Sequence, residues 1–480
     1  MKIINRRSAS AFTHLCTVYI IMGSYNKNIN NRNRRRKKRR RHKRKIKWWL
    51  LIVELLVLFM AIGIIVLLCS SNSKAKVVSA FTKCSLGRSI LSCAGKDDYN
   101  KNVLNSDFNR NNIKSSKSAL KSEDYINIAL FGIDPRDGEF DATTHTDSII
   151  VVTVNNKTNK ITLTSVYRDT LLRMTDSKGE VVLSKANNAY FYGGPEEAIN
   201  TLNSNLDLNI KDYAVVNFSG LATIIDALGG IDANITDMEK FHLNNYLVET
   251  REVTGMDSPD VKKSGNVHLN GLQATAFCRI RYSEFTAPDG TVYKDDYGRT
   301  ARQRFVMTQL FNLAKTAGPD KMISTAKKLL ENGTKDGNKI METSLSWDTI
   351  LDLIPIAMEC SLGDTQGFPY ETYTPDKGYA YYGYVVPVGL EDNVKKLHET
   401  LFPGANYEPS SALRSISNEI IDETDVKPDS YDDSSDDSDN SDDSYNNSDD
   451  NQEDSYNNSD DYDNSDYNDD SNSDDVYTDD

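Results

Sequence analysis

Ile126-Asn-Ile-Ala-Leu-Phe-Gly-Ile133 is an apolar run closed by Asp134-Pro-Arg-Asp-Gly, a turn signature. Residues 148–154 read as a second strand, 155–160 as a turn, and 161–167 as the hairpin partner. With neighbours paired in that order, Asp134 leaves one strand, Asp147 enters the next and Arg168 leaves the third. All three then stand at one end of a sheet. Two carboxylates beside arginine suit a divalent cation and a phosphate. Both aspartates also suit plain turns, through local hydrogen bonds.

Further along, the run from Lys185 to Pro195 leads into a helix with Pro195 in its first turn. Residues 213–217 read as a strand, Ser219 caps a helix over 220–228, and Gly229-Gly230 stops it. Residues 231–235 form the next strand. This β-α-β unit predicts an α/β body with a mixed sheet and helices on its faces. Leu221, Ile224, Ile225 and Leu228 line a lipid cavity or belong to ordinary core. Two helices are expected near 318–330 and 347–358, a late strand over 381–388 and a closing helix over 392–401. Beyond Pro409 the apolar pattern fades.

Phe277-Cys-Arg-Ile-Arg-Tyr282 alternates, so it reads as a strand with Arg279 and Arg281 on one face. Asp295 or Asp296 can cap the helix that follows, where apolar residues recur from Phe305 to Ala314. Arg299 and Gln303, four apart, share a face, with Arg302 to one side. A helix start with three arginines suits phosphate oxygens. The plainer alternative is a solvated basic helix with the arginines paired to Asp295 and Asp296.

The net charge of −14 is unevenly spread: residues 429–480 hold 22 acids and no Lys or Arg, which leaves the rest near +8. Much of that excess is 13 Lys and Arg between Arg32 and Lys47. Residues 48–69 are nearly all apolar, interrupted by Glu54, and are long enough to span a bilayer as a helix. The basic run before them places residues 1–47 in the cytoplasm and the body outside the cell membrane, as a single-pass protein. Beside a membrane span, that run serves topology and anionic lipid, so no nucleic-acid partner is expected. Met22 is a candidate for the true first residue. Residues 70–121 read as a polar stalk, 122–408 as the folded domain and 409–480 as a disordered Asp/Ser/Asn-rich tail. The six cysteines lack C-x-x-C spacing, which gives the usual zinc and thioredoxin readings little support. Cys84 and Cys93 can bridge locally; Cys278 and Cys360 read as small buried residues or, alternatively, a second bridge.

Taken in order, these segments resemble one family. They are Gly132-x-Asp134-x-Arg136, Thr146-Asp147-Ser148, Ser165-Val-Tyr-Arg168-Asp169-Thr170 and Lys185-Ala-Asn-Asn-Ala-Tyr190 with Gly193-Gly194. Then come Val216-Asn-Phe-x-Gly220 with Asp226-x-Leu-Gly-Gly-Ile231, Leu269-Asn-Gly-x-x-Ala274, Arg279-x-Arg281, and Asp296-x-Gly-Arg299-x-x-Arg302-Gln303. The stretch from about 126 to 314 is similar to the LytR-CpsA-Psr family. The resemblance implies a three-layer α/β/α domain outside the cell membrane that moves a glycopolymer, of teichoic acid or capsule type, from polyprenyl pyrophosphate to a peptidoglycan hydroxyl. The product is a phosphodiester and the leaving group is polyprenyl phosphate. A binder or pyrophosphatase of the lipid carrier is the alternative. By resemblance, Asp134 and Asp147 hold Mg²⁺ (or Mn²⁺). Arg168, Lys185, Arg279, Arg281, Arg299 and Gln303 bind the pyrophosphate. Asp296 orients or deprotonates the acceptor, and Arg168 and Arg299 act beside it in the reaction. The chain departs from the family pattern at His145, at Tyr167 and in an insert over 283–294.

Overall fold

The structure, a computed structural model, describes residues 103–105, 107–116, 124–134, 140, 144–331, 334–335 and 338–428. The expected basic segment, transmembrane helix, Cys84/Cys93 loop and acidic tail beyond 428 lie outside the described residues. No helix among the described residues is long and apolar enough to cross a membrane.

The chain begins as the apolar runs dictate. β1 (Tyr125–Ile133), β2 (Thr146–Asn155) and β3 (Lys160–Val166) form an antiparallel meander, with Leu130 opposite Ile150 and Val151 opposite Thr164. Because side chains alternate, Ala129, Phe131 and Ile133 enter one core while Ile126 and Leu130 face another. A hairpin follows, β4 (Leu171–Thr175) and β5 (Val181–Lys185). Helix α1 (Asn188–Leu206) kinks at Gly193-Gly194, where Gly194 takes φ 62°. Pro195 opens its second piece, whose Ala198, Ile199, Leu202 and Leu206 enter the core.

β6 (Ile210–Val216) leads to α2 (Phe218–Leu228). Its cap is Asn217, which accepts from Gly220 N at 2.9 Å, not Ser219. Gly229 ends the helix in the left-handed region, as expected. β7 (Ile231–Ile235) does form, but it is not a strand of the main sheet. After α3 (Asp237–Thr254) it pairs antiparallel with β8 (Gly265–Leu269). The expected β-α-β unit is therefore absent here, because a nearer antiparallel partner satisfies β7.

The run 277–282 is not a strand either. α4 (Gly271–Phe277) starts at a capping box: Asn270 Oδ1 accepts from Gln273 N, and Gln273 Oε1 accepts from Asn270 N, both at 3.0 Å. Only Phe277 of the run 277–282 is helical; Cys278 and Arg279 form the turn that ends α4, their backbone N–H groups donating to the Ala274 and Ala276 carbonyls, so the alternation there does not mark a strand. α4 crosses α2 closely, and a Cβ at Gly271 would stand 2.1 Å from the Ala222 carbonyl oxygen. The 283–294 insert folds as a ribbon, β9 (Phe285–Thr286) and β10 (Val292–Tyr293).

α5 (Asp295–Ala317) begins after Lys294, so Asp295 and Asp296 lie in its first turn and neither is the cap. α6 (Pro319–Glu331), the ribbon β11 (Thr334–Lys335) with β12 (Asn338–Lys339), β13 (Met341–Thr343), α7 (Trp347–Glu359) and β14 (Ser361–Phe368) follow. The expected strand over 381–388 shrinks to β16 (Val386–Pro387), paired with β15 (Thr372–Tyr373). α8 (Leu390–Leu401) is as expected. The chain does not lose its core at Pro409: α9 (Ser411–Thr424) buries Leu413, Ile416, Ile420 and Ile421. Nor is all of 70–121 a free stalk, since Val103 is fully buried and Asn105 N donates to the Thr343 carbonyl.

The main sheet runs β13-β6-β1-β2-β3-β14, with β6 parallel to β1, β14 parallel to β3 and the other pairs antiparallel. It is the mixed central sheet of an α/β fold. β1, β3, β6 and β14 all finish at one edge, where β2 begins.

Candidate active site

Open α/β sheets bind ligands beyond the carboxyl ends of their strands. The charged residues gather there. Asp134 follows β1. Gly132 pairs with Ser148 and Ile133 with Thr146, so Asp147 is the extra residue of a bulge, a device that re-aims a side chain. Arg168 leaves β3 at the same edge, and its Nη1 donates to Asp147 Oδ1 at 2.7 Å. Its Nε lies 3.4 Å from Asp169 Oδ2. The β4–β5 register sets Lys185 opposite Leu171, which brings its Nζ to 3.0 Å from Asp169 Oδ1.

Arg299 enters from the second turn of α5. Its Nη2 lies 2.8 Å from Asp296 Oδ1 and its Nη1 3.6 Å from Asp147 Oδ1. Arg281, in the turn after α4, approaches Asp296 Oδ1 with its Nε at 3.8 Å. Contact by contact the row runs Lys185, Asp169, Arg168, Asp147, Arg299, Asp296, Arg281. The strand-end geometry expected for Asp134, Asp147 and Arg168 is present, with Asp296, Arg281 and Arg299 brought to it from α5 and the turn before it.

Burial of Arg299, whose side chain is 4% exposed, lowers its pKa. Asp296 opposes that shift, while Arg168 and Arg281 add to it. Burial is also the largest influence on Arg168, but Asp169, Asp296 and Asp147 together outweigh it and raise the pKa. Both guanidiniums stay charged. Arg299 Nε is buried with no hydrogen-bond partner among the described residues. A buried charged donor in reserve is what an anionic ligand would satisfy.

Arg279 stands apart from the row. Its guanidinium bonds Glu249 at 2.7 Å and Thr250 Oγ1 at 2.9 Å, and stacks over the rings of Phe218 and Tyr246. Since 277–280 is helix end and turn, the two arginines no longer share a strand face. Arg302 is not at the site. It is fully buried, held by Glu239 Oε1 at 2.9 Å and the carbonyls of Ser283 and Glu284. Gln303 lies one turn beyond Arg299, half-buried.

Two members were not singled out from the sequence. Asp169 ties Lys185 to Arg168. Tyr246 on α3 lies close to Arg281, Arg279 and Arg299; burial raises its pKa, against the pull of those arginines. Asp169 was findable, as the neighbour of Arg168; nothing local marks Tyr246. At the departures, His145 stacks on Phe191 at 4.6 Å, and the buried Tyr167 meets Tyr297 edge-on at 4.6 Å. Cys278 and Cys360 are buried and unbridged. Ile225 is fully buried, while Leu221, Ile224 and Leu228 pack partly buried on the same core.

Among the described residues no group of three or more His, Cys, Asp and Glu could hold a metal by itself. The donor set is two carboxylates on adjacent strand ends. That fits a Mg²⁺ ion, which binds through one or two carboxylates and completes its shell with phosphate oxygen and water.

Known proteins resemble this chain over part of its length. "Biofilm regulatory protein A" of Streptococcus mutans is 35% identical over 237 residues, 48% of this chain and 54% of that protein. This chain thus matches only about half the length of that relative. A Bacillus cereus protein named polyisoprenyl-teichoic acid–peptidoglycan teichoic acid transferase TagU is 29% identical over 291 residues, 60% of this chain and 81% of that one. The crystal structure of a Streptococcus agalactiae protein superposes with a TM-score of 0.47 at 28% identity, covering 62% of this chain and 95% of that one. The model of the LytR_cpsA_psr family matches residues 92–355, more than half of the chain, and the protein belongs to that family.

Proposed function

We propose that this protein is a transferase that moves a glycopolymer from polyprenyl pyrophosphate to a peptidoglycan hydroxyl, leaving a phosphodiester. The observation that carries the reading is the row from Lys185 to Arg281, a line of cations interleaved with carboxylates at the sheet edge. The names of relatives such as TagU of Bacillus cereus support it.

The chemistry follows from charge. An acceptor oxygen attacks the glycan-bearing phosphorus and forms a P–O bond. The bond from that phosphorus to the bridging oxygen breaks, and the electron pair leaves with polyprenyl phosphate. Arg168, Arg281, Arg299 and Lys185 hold the pyrophosphate oxygens and stabilise the departing charge, and Gln303 can add a hydrogen bond. Arg279 would have to leave Glu249 to join them. Asp296 orients the acceptor hydroxyl and takes its proton. Asp134 and Asp147 would hold Mg²⁺, or Mn²⁺, which when bound neutralises phosphate charge. Asp147 is the carboxylate that Arg168 and Arg299 grip, so Asp147 engaged with a cation would leave both arginines to the substrate. The 48–69 stretch and its basic flank support a membrane-anchored enzyme with its domain outside the cell membrane.

The test uses the full chain, a synthetic polyprenyl-pyrophosphate glycan, Mg²⁺ and peptidoglycan oligomers. Glycan should appear on the acceptor, and Arg299→Ala and Asp147→Ala should each cost roughly a hundredfold or more. Phosphate release without transfer would overturn the proposal in favour of a carrier pyrophosphatase.

A further inference from the structure

Six residues after β15 and before β16 read Tyr379-Ala-Tyr-Tyr-Gly-Tyr384, four tyrosines in six positions. The loop is built, with tyrosines divided between two directions. Tyr381 and Tyr384 pack against the main core and meet edge-on at 5.4 Å. Tyr379 and Tyr382 are 73% and 58% exposed. Tyr381 takes φ 60°, a conformation costly for a bulky residue.

The loop is pinned to one end of the charged row. Val385 N donates to the Asp169 carbonyl and Leu171 N to the Val385 carbonyl, both at 2.9 Å. The ring of Tyr384 lies 5.0 Å from Lys185 Nζ. An anion held by Lys185 therefore lies beside this loop, whose Tyr379 and Tyr382 are the exposed members. The loop also lies past residue 355, where the family match ends.

We propose that the exposed faces of Tyr379 and Tyr382 bind the donor's first sugars, those joined to the pyrophosphate. A pyranose ring has an apolar face of C–H groups edged by hydroxyls, and a tyrosine offers an apolar ring with a polar tip. The sugar is covalently bound to the phosphate, so it must lie within one ring's length of the cationic row. Lys185 marks one end of that row, while Asp296, which takes the acceptor, lies toward the other. The loop is thus a selector of donor glycan, and this rests on the pyrophosphate reading above.

The test compares geranylgeranyl pyrophosphate with and without a disaccharide, as ligands of the full chain and its Tyr379→Ala/Tyr382→Ala variant. The disaccharide form should bind roughly tenfold more weakly to the variant, and the bare pyrophosphate equally well to both. A Tyr379→Phe/Tyr382→Phe variant should keep most of the binding. Equal loss for both ligands would overturn the proposal, as would loss confined to peptidoglycan oligomers or to binding of anionic vesicles. Arg299→Ala separates the two ideas: if it leaves bare pyrophosphate binding intact, the site reading itself fails, whatever the tyrosines do.

Discussion

Arg299 and Arg302, three residues apart on α5, face different partners. Arg299 points to Asp147 and Asp296 at the sheet edge with one donor to spare. Arg302 is spent on structure: Glu239, which also closes the capping box of α3, and two carbonyls of the insert hold it. Burial lowers the Arg302 pKa and Glu239 opposes the shift. A buried ion pair adds little net stability, but removing one partner strands the other charge. Arg302→Ala should therefore cost about 3–5 kcal/mol, and Arg302→Met less. Urea unfolding of the three forms checks this; a midpoint for Arg302→Ala equal to that of the unaltered protein would show the pair to be dispensable. Charge pattern alone does not separate these arginines, because both belong to one run; the family resemblance names only Arg299 for the pyrophosphate, and tertiary contacts hold Arg302 elsewhere.

At the scale of elements, α9 is the clearest surplus over the sequence reading. Its Leu413, Ile416, Ile420 and Ile421 are buried, yet they recur among Ser, Asn, Asp and Glu just before a tract of the same composition. Each buried aliphatic side chain contributes about 1.5–3 kcal/mol, so losing four approaches the whole stability of a domain. A chain ending at Glu408 should melt well below one ending at Pro428, or fail to fold; identical melting curves would remove α9 from the core. Other elements were legible where periodicity is unambiguous. The β1–β3 meander, α2 with its glycine stop, and α6 to α8 fall where apolar spacing placed them. α4 was not, because a seven-residue run buried on all sides has no face to read. β7 was legible as a strand but not as a member of another sheet, since pairing is a long-range choice. The site was legible in the same measure: Asp134, Asp147 and Arg168 follow from strand order, whereas the placement of Arg281 and the withdrawal of Arg279 depend on α4.

Across the whole molecule, one buried histidine ties distant parts of the chain together on one core. His398 on α8 reaches the Leu206 carbonyl at the end of α1 with Nε2 at 2.9 Å, and stacks on Tyr407 at 3.6 Å. Tyr407 and Ser410, which lead into α9, both donate to Asp207 just beyond α1. A carbonyl only accepts, so Nε2 carries the proton and Nδ1, buried without a hydrogen-bond partner among the described residues, carries none. Burial pushes the His398 pKa down to about 4, against the opposing pull of the Leu206 bond and Asp207. An unfolded chain binds this proton near pH 6.5 and the folded one only near pH 4, so stability is full above pH 6.5 and falls as acid is added between those values. The loss by pH 4 is on the order of 3 kcal/mol. His398→Phe keeps a ring on Tyr407 but cannot titrate. Its unfolding free energy should be lower than that of the unaltered protein at pH 7, because the Leu206 bond is gone, and the gap should close as pH falls to 4.5. Urea unfolding at both pH values measures the two gaps. A gap that stays constant would mean that the histidine is not the group through which acid loosens the union of α1, α8 and α9.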